Sequence, residues 1–411
     1  MVWERKAETV RAGDIGLKFL DAVTWLASEG TVTSLVADLS RDIPIRMVPN
    51  LQKMTSVEFP NIDQLFFSAD KYLSQEFVVS RVRRCVLMAQ GTVLVDDGVG
   101  THCLAEGIGD SAGFGVSFSN AYQRVEKAVG SLSVTAQSHV EPIMIYPADD
   151  RLNILLSNIN NYGHWHVHNI SFLEWIGNNI DIILRGCDLK GIRVLCPHGI
   201  DLPGRGMKRF VLNKLGQKVD VEIVDPASLE RPVLLENLLL SSTYNLDNGT
   251  TWPAFFAGIF DQLRPIHNPD APSLIYCNRS HAGRRGIENE VELEQSLGRL
   301  GFTSVEPGNM TYDQQRDAFA NAKVIVGSHG AALTNLVYSH RSPVLVELTH
   351  PYYGPQQYGW FRNLAAVRGS TYAAVVSPVP EQYLDKGYNG TNFRVNIDSL
   401  CQGLADLVRG Q

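Results

Sequence analysis

Positive charge is in deficit in this sequence: 36 lysines and arginines face 43 aspartates and glutamates, a formal net charge of −7 at pH 7. That balance removes the sequence-independent attraction to phosphate backbones on which nucleic-acid binding rests. No run of residues stays apolar for the length of a membrane span. The cysteines, Cys85, Cys103, Cys187, Cys196, Cys277 and Cys401, include no C-x-x-C pair, so their spacing offers neither a metal-thiolate cluster nor a redox dithiol. Reduced thiols in a cytoplasm fit them best, and a cytoplasmic location is expected. The opening residues 1–8 carry both signs of charge with no apolar core behind them, which argues against a secretory leader. The glycosylation-type triplets at Asn169, Asn248, Asn278, Asn309 and Asn389 are then chance matches; a leader removed ahead of Met1 would reverse that expectation. Internal repeats and low-complexity tracts are absent.

What is present is an ordinary globular composition, 44% hydrophobic and 19% charged over 411 residues. That length exceeds one ordinary core, so two domains are expected. From about residue 130 onward, short apolar runs alternate with helical stretches, the signature of βαβ units around parallel sheets. One series contains Leu152–Leu156, a helix from about Trp165 to Ile180, Ile192–Cys196, an amphipathic stretch around 207–215, and Val221–Val224. A second contains Ser273–Tyr276, a helix over 288–300, Thr303–Val305, a helix over 311–322, Val324–Val326, Val344–Leu348, a helix over 360–367, and Tyr372–Val376. Between the series, Asn248-Gly-Thr and Pro265-Ile-His-Asn-Pro mark a linker, where a cleft would fall. Residues 1–130 read as a β-rich extension. Thr311 followed by Gln314 has the spacing of a capping box, a purely structural device.

Three segments carry candidate chemistry. The first is Val324-Ile-Val-Gly-Ser-His-Gly-Ala-Ala-Leu-Thr-Asn-Leu336, a buried strand running into a helix through small residues. Gly327 and Gly330 permit a tight turn. The first N–H groups at Ala331 and Ala332 have no intrahelical partner, which suits an anion such as a phosphate or pyrophosphate. His329 could add a ring donor. The plainer reading, a turn built of small residues only so that strand and helix pack closely, stays open on this segment alone. The second is Asn278-Arg-Ser-His-Ala-Gly-Arg-Arg-Gly-Ile-Glu-Asn-Glu290, a loop at the end of another strand. Its Arg279, Arg284 and Arg285 present forked donors suited to phosphate oxygens; the alternative is a solvated loop paired with its own glutamates. Two such loops at strand carboxyl ends suggest one ligand site. Glu347, inside an apolar strand, needs a partner: a ribose hydroxyl, or one of the arginines.

The third segment, Asn161-Tyr-Gly-His-Trp-His-Val-His-Asn169, precedes the first long helix. His164 and His168 are four apart and could share a helical face, as zinc ligands do, but a third ligand at usable spacing is missing. A general base, or a donor to a leaving diphosphate, is the stronger reading for His164, with a packed core histidine as the plain alternative. The chain also lacks any Asp-x-Asp pair, the carboxylates that would hold a divalent ion on a nucleotide diphosphate. No metal and no other cofactor is expected.

These segments together resemble glycosyltransferase family 61. The resemblance covers about residues 155–380 and rests on Tyr162-Gly-His-Trp165, Arg279-Ser with Arg284-Arg285 and Asn289-Glu290, Leu300-Gly-Phe302, Val305-Glu-Pro307, Gly327-Ser-His-Gly-Ala-Ala-Leu-Thr-Asn335, and Val346-Glu347, in order and at matching spacing. After Trp165 the family commonly has an aspartate and a Pro-Arg pair, where this chain has His168, Ser171 and Phe172; the base role is then unfilled or passes to His168.

The resemblance implies an α/β protein of the GT-B-like class, two Rossmann-like domains facing a cleft. It implies an acceptor-side domain over 1–262 (the β-rich extension 1–130 and a Rossmann-like part 131–262), a nucleotide-sugar-binding domain over 263–385, and a C-terminal segment 386–411 packing back on the first domain. It implies an inverting, metal-independent hexosyl- or pentosyltransferase that uses a nucleotide sugar and a glycan, protein or lipid-linked acceptor, in glycan or surface-polysaccharide assembly, with peripheral membrane contact compatible. By the same resemblance, His164 and His168 are catalytic, and Arg279, Arg284, Arg285, Asn289, Glu290, His329, Gly330, Ala331, Ala332, Asn335 and Glu347 bind the donor. Two rivals stand beside it: a nucleotide-binding but silent partner subunit, and a nucleotide-sugar epimerase, which would need no acceptor. If Arg284 holds the diphosphate, Arg284→Ala weakens nucleotide binding strongly by calorimetry; unchanged affinity would remove it from the site.

Overall fold

The computed structural model describes residues 8–11, 32–38, 41–48, 70–74, 77–87, 93–96, 101–105, 144–145, 150–156, 162–195, 215–224, 233–241, 252–266, 268–279, 285–351, 359–384, 386 and 390–409. The chain divides into two compact units, one of residues 1–39 and 76–246, the other of 40–75 and 247–411. Among the described residues no helix is long and apolar enough to cross a membrane.

The first unit is built on a ten-stranded mixed sheet. Its parallel part contains the three strands expected from sequence and one that was not: Arg151–Leu155 lies between Gly191–Leu195 and the unforeseen Val233–Ser241, and Asp220–Val224 pairs with the outer side of Gly191–Leu195. The N-terminal strands extend this same sheet. Phe77–Leu87 runs antiparallel to Val233–Ser241, and Val32–Asp38 runs antiparallel to Phe77–Leu87. The sheet is therefore mixed, with an antiparallel part added to the parallel one expected from about residue 130 onward. The reason is chain direction: Phe77–Leu87 buries Phe77, Val79, Val82, Cys85 and Leu87, and so needs a long partner. The nine-residue Val233–Ser241 provides one.

The same unit carries a helical segment in three pieces: α-helix Tyr162–Trp165, a π-helical turn His166–Ile170, and α-helix Ser171–Cys187. The histidine segment thus forms the first turns of the helix that it was expected to precede. Phe172, Trp175, Ile176, Ile180 and Ile183 recur at helical spacing and are all buried. The helix ends where Asp188 turns left-handed and donates its N–H back to the carbonyls of the last turn.

The second unit holds a six-stranded, all-parallel sheet in the order Thr303–Val305, Leu274–Cys277, Val324–Ser328, Val344–Thr349, Thr371–Val376, Arg46–Met47. Strands buried on both faces read as continuous apolar runs, as the inner strands Val324–Ser328, Val344–Thr349 and Thr371–Val376 largely do. One face carries Val324, Val326, Val344, Val346, Leu348, Ala373 and Val375 against Leu293 and Leu297 of helix Glu290–Arg299 and Leu400 and Leu404 of helix Ile397–Arg409. The alternate residues Ile325, Leu345 and Glu347 face the other way and are equally buried.

The order of these strands has a consequence for binding. From Leu274–Cys277 the chain passes to Thr303–Val305 on one side, then returns to Val324–Ser328 on the other. The loops leaving the carboxyl ends of Leu274–Cys277 and Val324–Ser328 therefore part in opposite directions, which opens the crevice where ligands bind in parallel α/β sheets.

Two local departures have plain causes. The stretch expected as a linker contains helix Phe256–Leu263, folded by an aromatic cluster in which Trp252 meets Phe256, Phe260 and Trp360 edge-on and donates from Nε1 to the Trp360 carbonyl. The helix after the glycine turn, Ala331–Tyr338, is 3-10 throughout. The capping box is formed: Thr311 Oγ1 accepts the Gln314 N–H at 3.2 Å while Gln314 Oε1 accepts the Thr311 N–H at 2.8 Å. Thr311→Ala should accordingly cost about 1 kcal/mol of stability; a thermal or denaturant midpoint unchanged within error would contradict that contribution.

Candidate functional site

The two loops at the switch point meet at a glycine. Arg279, two residues past the end of Leu274–Cys277, reaches over Gly330 and donates from Nη1 to the His329 carbonyl at 2.7 Å. A Cβ on Gly330 would stand 2.7 Å from the Arg279 guanidinium carbon, so the arginine can occupy this place only because the glycine has no side chain. Gly330 itself is extended (φ 167°), a conformation open to any residue; clearance, not backbone freedom, is what requires glycine here. Gly327 has a similar task one turn earlier, since a Cβ there would meet the Cys277 Cβ at 2.8 Å and a Leu333 methyl at 3.0 Å. The packing reading and the anion-site reading of these glycines are therefore compatible: close packing is what lays the guanidinium beside the helix start.

His329 is held from three sides. Its N–H donates to the Leu348 carbonyl at 3.0 Å, its ring stands edge-on to Phe361 with centroids 5.0 Å apart, and its Nδ1 is hydrogen-bonded to Glu347 Oε1. A carboxylate oxygen only accepts, so Nδ1 carries the hydrogen. The other oxygen of Glu347 accepts the Tyr372 hydroxyl at 2.6 Å. Glu347, 3% exposed, therefore spends both oxygens inside the protein. Burial pulls the His329 pKa below its ordinary value; Glu347 opposes this, while Arg285 and Arg279 add to it. The hydroxyl of Tyr372 is kept protonated by burial and by the same glutamate. At the end of the Glu347 strand, His350 is pushed down to about 3 by burial, with His329 and Arg285 contributing.

The rest of the arginine loop is anchored by residues that sequence reasoning placed in the donor site. Glu290 Oε1 accepts both the Tyr276 hydroxyl at 2.9 Å and the Arg279 N–H at 3.0 Å, fixing the base of the arginine. Asn289 clasps Val395 in both directions, donating to its carbonyl at 2.9 Å and accepting its N–H at 3.1 Å. Arg285 adopts a left-handed backbone (φ 57°), its carbonyl accepting the Ser328 hydroxyl at 3.2 Å, and the next N–H, of Gly286, is taken by Asn392 Oδ1 at 2.8 Å. Asn335 ties the 3-10 helix to Gln315 at 2.9 Å and to its own turn at Ala332. Ala331 and Ala332 precede the first internal bond of that helix, from Leu333 N–H to the Gly330 carbonyl, and are half-buried. Arg284 lies outside the described residues.

In the first unit the π-helical turn brings the His164 and His168 rings into a stack, centroids 5.6 Å apart and planes 15° from parallel. A π turn within an α-helix widens the local register and is found most often at functional sites. Burial, with His168 beside it, depresses the His164 pKa to about 3, so the ring is neutral. His166 is fully buried and donates from Nδ1 to the Tyr162 carbonyl at 2.7 Å, a core role; burial holds its pKa at about 4. No group of three histidine, cysteine, aspartate or glutamate side chains among the described residues could hold a metal ion.

Several functional neighbours escape a reading of the sequence. Tyr372 is invisible until strand register is known: Tyr372 pairs with Leu345, which places it diagonal to Glu347 on the adjacent strand. Tyr276 and Asn392 belong to the same class, being partners that come from distant strands and loops. The π turn has no recognisable sequence signal.

Residues 162–346 match the family model described as Glycosyltransferase 61. Comparison with curated proteins returns no match. The matched span opens at Tyr162, at the head of the histidine-bearing helix, and takes in the arginine loop and the glycine turn that Arg279 joins. The match over 162–346 supports a family 61 glycosyltransferase, a family that implies glycosyltransferase activity.

Proposed function

We propose that this glycosyltransferase moves a sugar from a nucleoside-diphosphate donor to a hydroxyl of a glycan, protein or lipid-linked acceptor, with inversion at the anomeric carbon, in glycan or surface-polysaccharide assembly. The observation that supports it best is the convergence at the switch point of Arg279, Arg285, His329 and the start of the Ala331–Tyr338 helix, all at the carboxyl edge of one parallel sheet. Guanidinium forks and early-helix N–H groups are the donors that a diphosphate needs. They also do the work that a divalent ion does elsewhere, stabilising the charge that develops on the leaving group. The reaction needs no metal on this reading.

In a single displacement the acceptor oxygen forms its bond to the anomeric carbon as the bond to the diphosphate breaks, and a base takes the acceptor proton. His164 is the proposed base, with the stacked His168 as its neighbour. Both carboxylate oxygens of Glu347 are engaged by His329 and Tyr372, so its proposed part is to set the histidine and not to meet the ribose directly. Asn289, Glu290 and Asn335 hold the loops that carry the donor contacts. The binding-without-turnover reading draws on one observation, the His164 pKa of about 3, which makes the ring a weak base until acceptor and donor change its surroundings.

Transfer assays with a panel of nucleotide sugars separate the two. His164→Ala should lower turnover by about 10²- to 10⁴-fold while nucleoside-diphosphate affinity by calorimetry stays within a factor of about two. Absence of any turnover in the unaltered protein, with binding intact, would favour the silent subunit. Donor cleavage or epimerisation that proceeds fully without an acceptor would favour the epimerase. At the donor seat, Gly330→Ala should displace Arg279 and weaken nucleoside-diphosphate binding about tenfold, the worth of a hydrogen bond to a charged group; undiminished affinity would contradict the role given to Arg279.

A further inference from the structure

Residues 40–75 belong to the second unit, although the chain before and after them belongs to the first. The excursion is closed at its neck. Asp42–Pro44 and Lys71–Leu73 pair antiparallel, Arg41 and Ser74 exchange two hydrogen bonds of 2.9 Å, and the Ile45 N–H donates to the Asp70 carbonyl at 2.8 Å. Ile45 and Tyr72 are buried. Past the neck, Arg46–Met47 adds the sixth strand of the parallel sheet, beside Thr371–Val376. Without it, Thr371–Val376 would be an edge with a row of unpaired backbone groups.

Two routes of contact run from this excursion to His329. Along the sheet, Met47 pairs with Tyr372 and the Val48 N–H donates to the Tyr372 carbonyl at 3.0 Å; the Tyr372 hydroxyl donates to Glu347, which in turn holds His329 Nδ1. Through the aromatic cluster, the Tyr72 hydroxyl donates to the Trp252 carbonyl at 3.1 Å and Trp252 Nε1 donates to the Trp360 carbonyl at 3.2 Å. The next residue, Phe361, stands with its ring edge-on to His329. Asp42–Pro44 also packs against the helix Trp360–Val367 that carries Phe361. Both routes end on the residue whose carbonyl receives Arg279. We propose that residues 40–75 are a positioning element of the diphosphate seat: Val48 and Tyr72 fix Tyr372 and the start of the Trp360–Val367 helix, these fix His329, and His329 fixes the Arg279 guanidinium where the donor's phosphates meet it. The proposal rests on the diphosphate reading of this seat. It gives a working role to a segment that lies outside the matched span 162–346.

Positioning and plain stability lead to different results. Tyr72→Phe removes the hydrogen bond to Trp252 and keeps the ring. Val48→Pro removes the N–H that meets Tyr372, at an edge strand where proline is tolerated. In calorimetry of the full chain with UDP, GDP, CDP and ADP, each substitution should weaken binding of the nucleotide that binds by about three- to tenfold. Thr311→Ala, which removes a helix cap elsewhere in the same unit and lowers stability, should keep affinity within a factor of about two. Hydrogen exchange gives the reciprocal readout, because coupling between two places acts in both directions. Saturating nucleotide should slow amide exchange over 41–48 in the unaltered protein, and slow it less in Tyr72→Phe. Should Val48→Pro fail to fold, Tyr72→Phe decides. Full affinity in the substituted proteins, an equal loss in Thr311→Ala, or exchange over 41–48 unmoved by nucleotide overturns the proposal; Gly330→Ala still weakening binding then leaves the seat standing. Failure of all four nucleotides to bind the unaltered protein overturns the seat, and the role of residues 40–75 with it.

Discussion

A guanidinium lying on a bare glycine is the contact on which the second unit's site depends. Two loops leave neighbouring strands of the parallel sheet in opposite directions, and nothing in that topology alone would bring their charges together. Arg279 bridges them because Gly330 leaves room and because the His329 carbonyl is turned to receive it. Glu290 holds the other end of the arginine by its backbone, and Glu290 is itself held by Tyr276 from inside the sheet. The positive group is therefore placed before any ligand arrives, which is the condition for electrostatic stabilisation to cost little when charge develops.

The same edge shows how buried polarity is managed. Glu347 on an apolar strand would be costly if left alone, and its two oxygens are both satisfied, one by an imidazole and one by a phenol. That makes the carboxylate a fixed part of the site and ties the state of His329 to it. The C-terminal segment contributes in a similar way. Asn392 and Val395 fasten the returning limb of the arginine loop at Gly286 and Asn289, so helix Ile397–Arg409 and the segment before it help to shape the loop from the far side of the core.

Much of the second unit could be read from sequence because its inner strands are apolar runs between helices, one with a clear start at Thr311, whereas the edge strand Arg46–Met47 has no such signal. The arginine loop and the glycine turn were legible as neighbouring loops at strand carboxyl ends, and the structure joins them through Arg279 and the His329 carbonyl. What could not be read depends on register and on contacts across the chain. Tyr372 as the partner of Glu347, and the clearance at Gly330 as the reason for glycine, both require knowing which strands are neighbours. In the first unit three of the parallel strands were legible, but Val233–Ser241 and the antiparallel addition of Phe77–Leu87 to it were not, since alternation does not reveal direction. The helix from about Trp165 was foreseen, whereas its start at Tyr162 and the π turn next to the His164–His168 stack have no local sequence signature.

The central claim is that the Gly327–Asn335 turn and the Arg279 loop together seat a nucleoside diphosphate. A crystal structure of the protein soaked with the nucleoside diphosphate that binds best tests it most directly. The account predicts phosphate oxygens within hydrogen-bond distance of the Arg279 guanidinium, against the Ala331 N–H and beside His329. A nucleotide bound elsewhere, with Arg279 still lying on Gly330 and no phosphate near the turn, would contradict it.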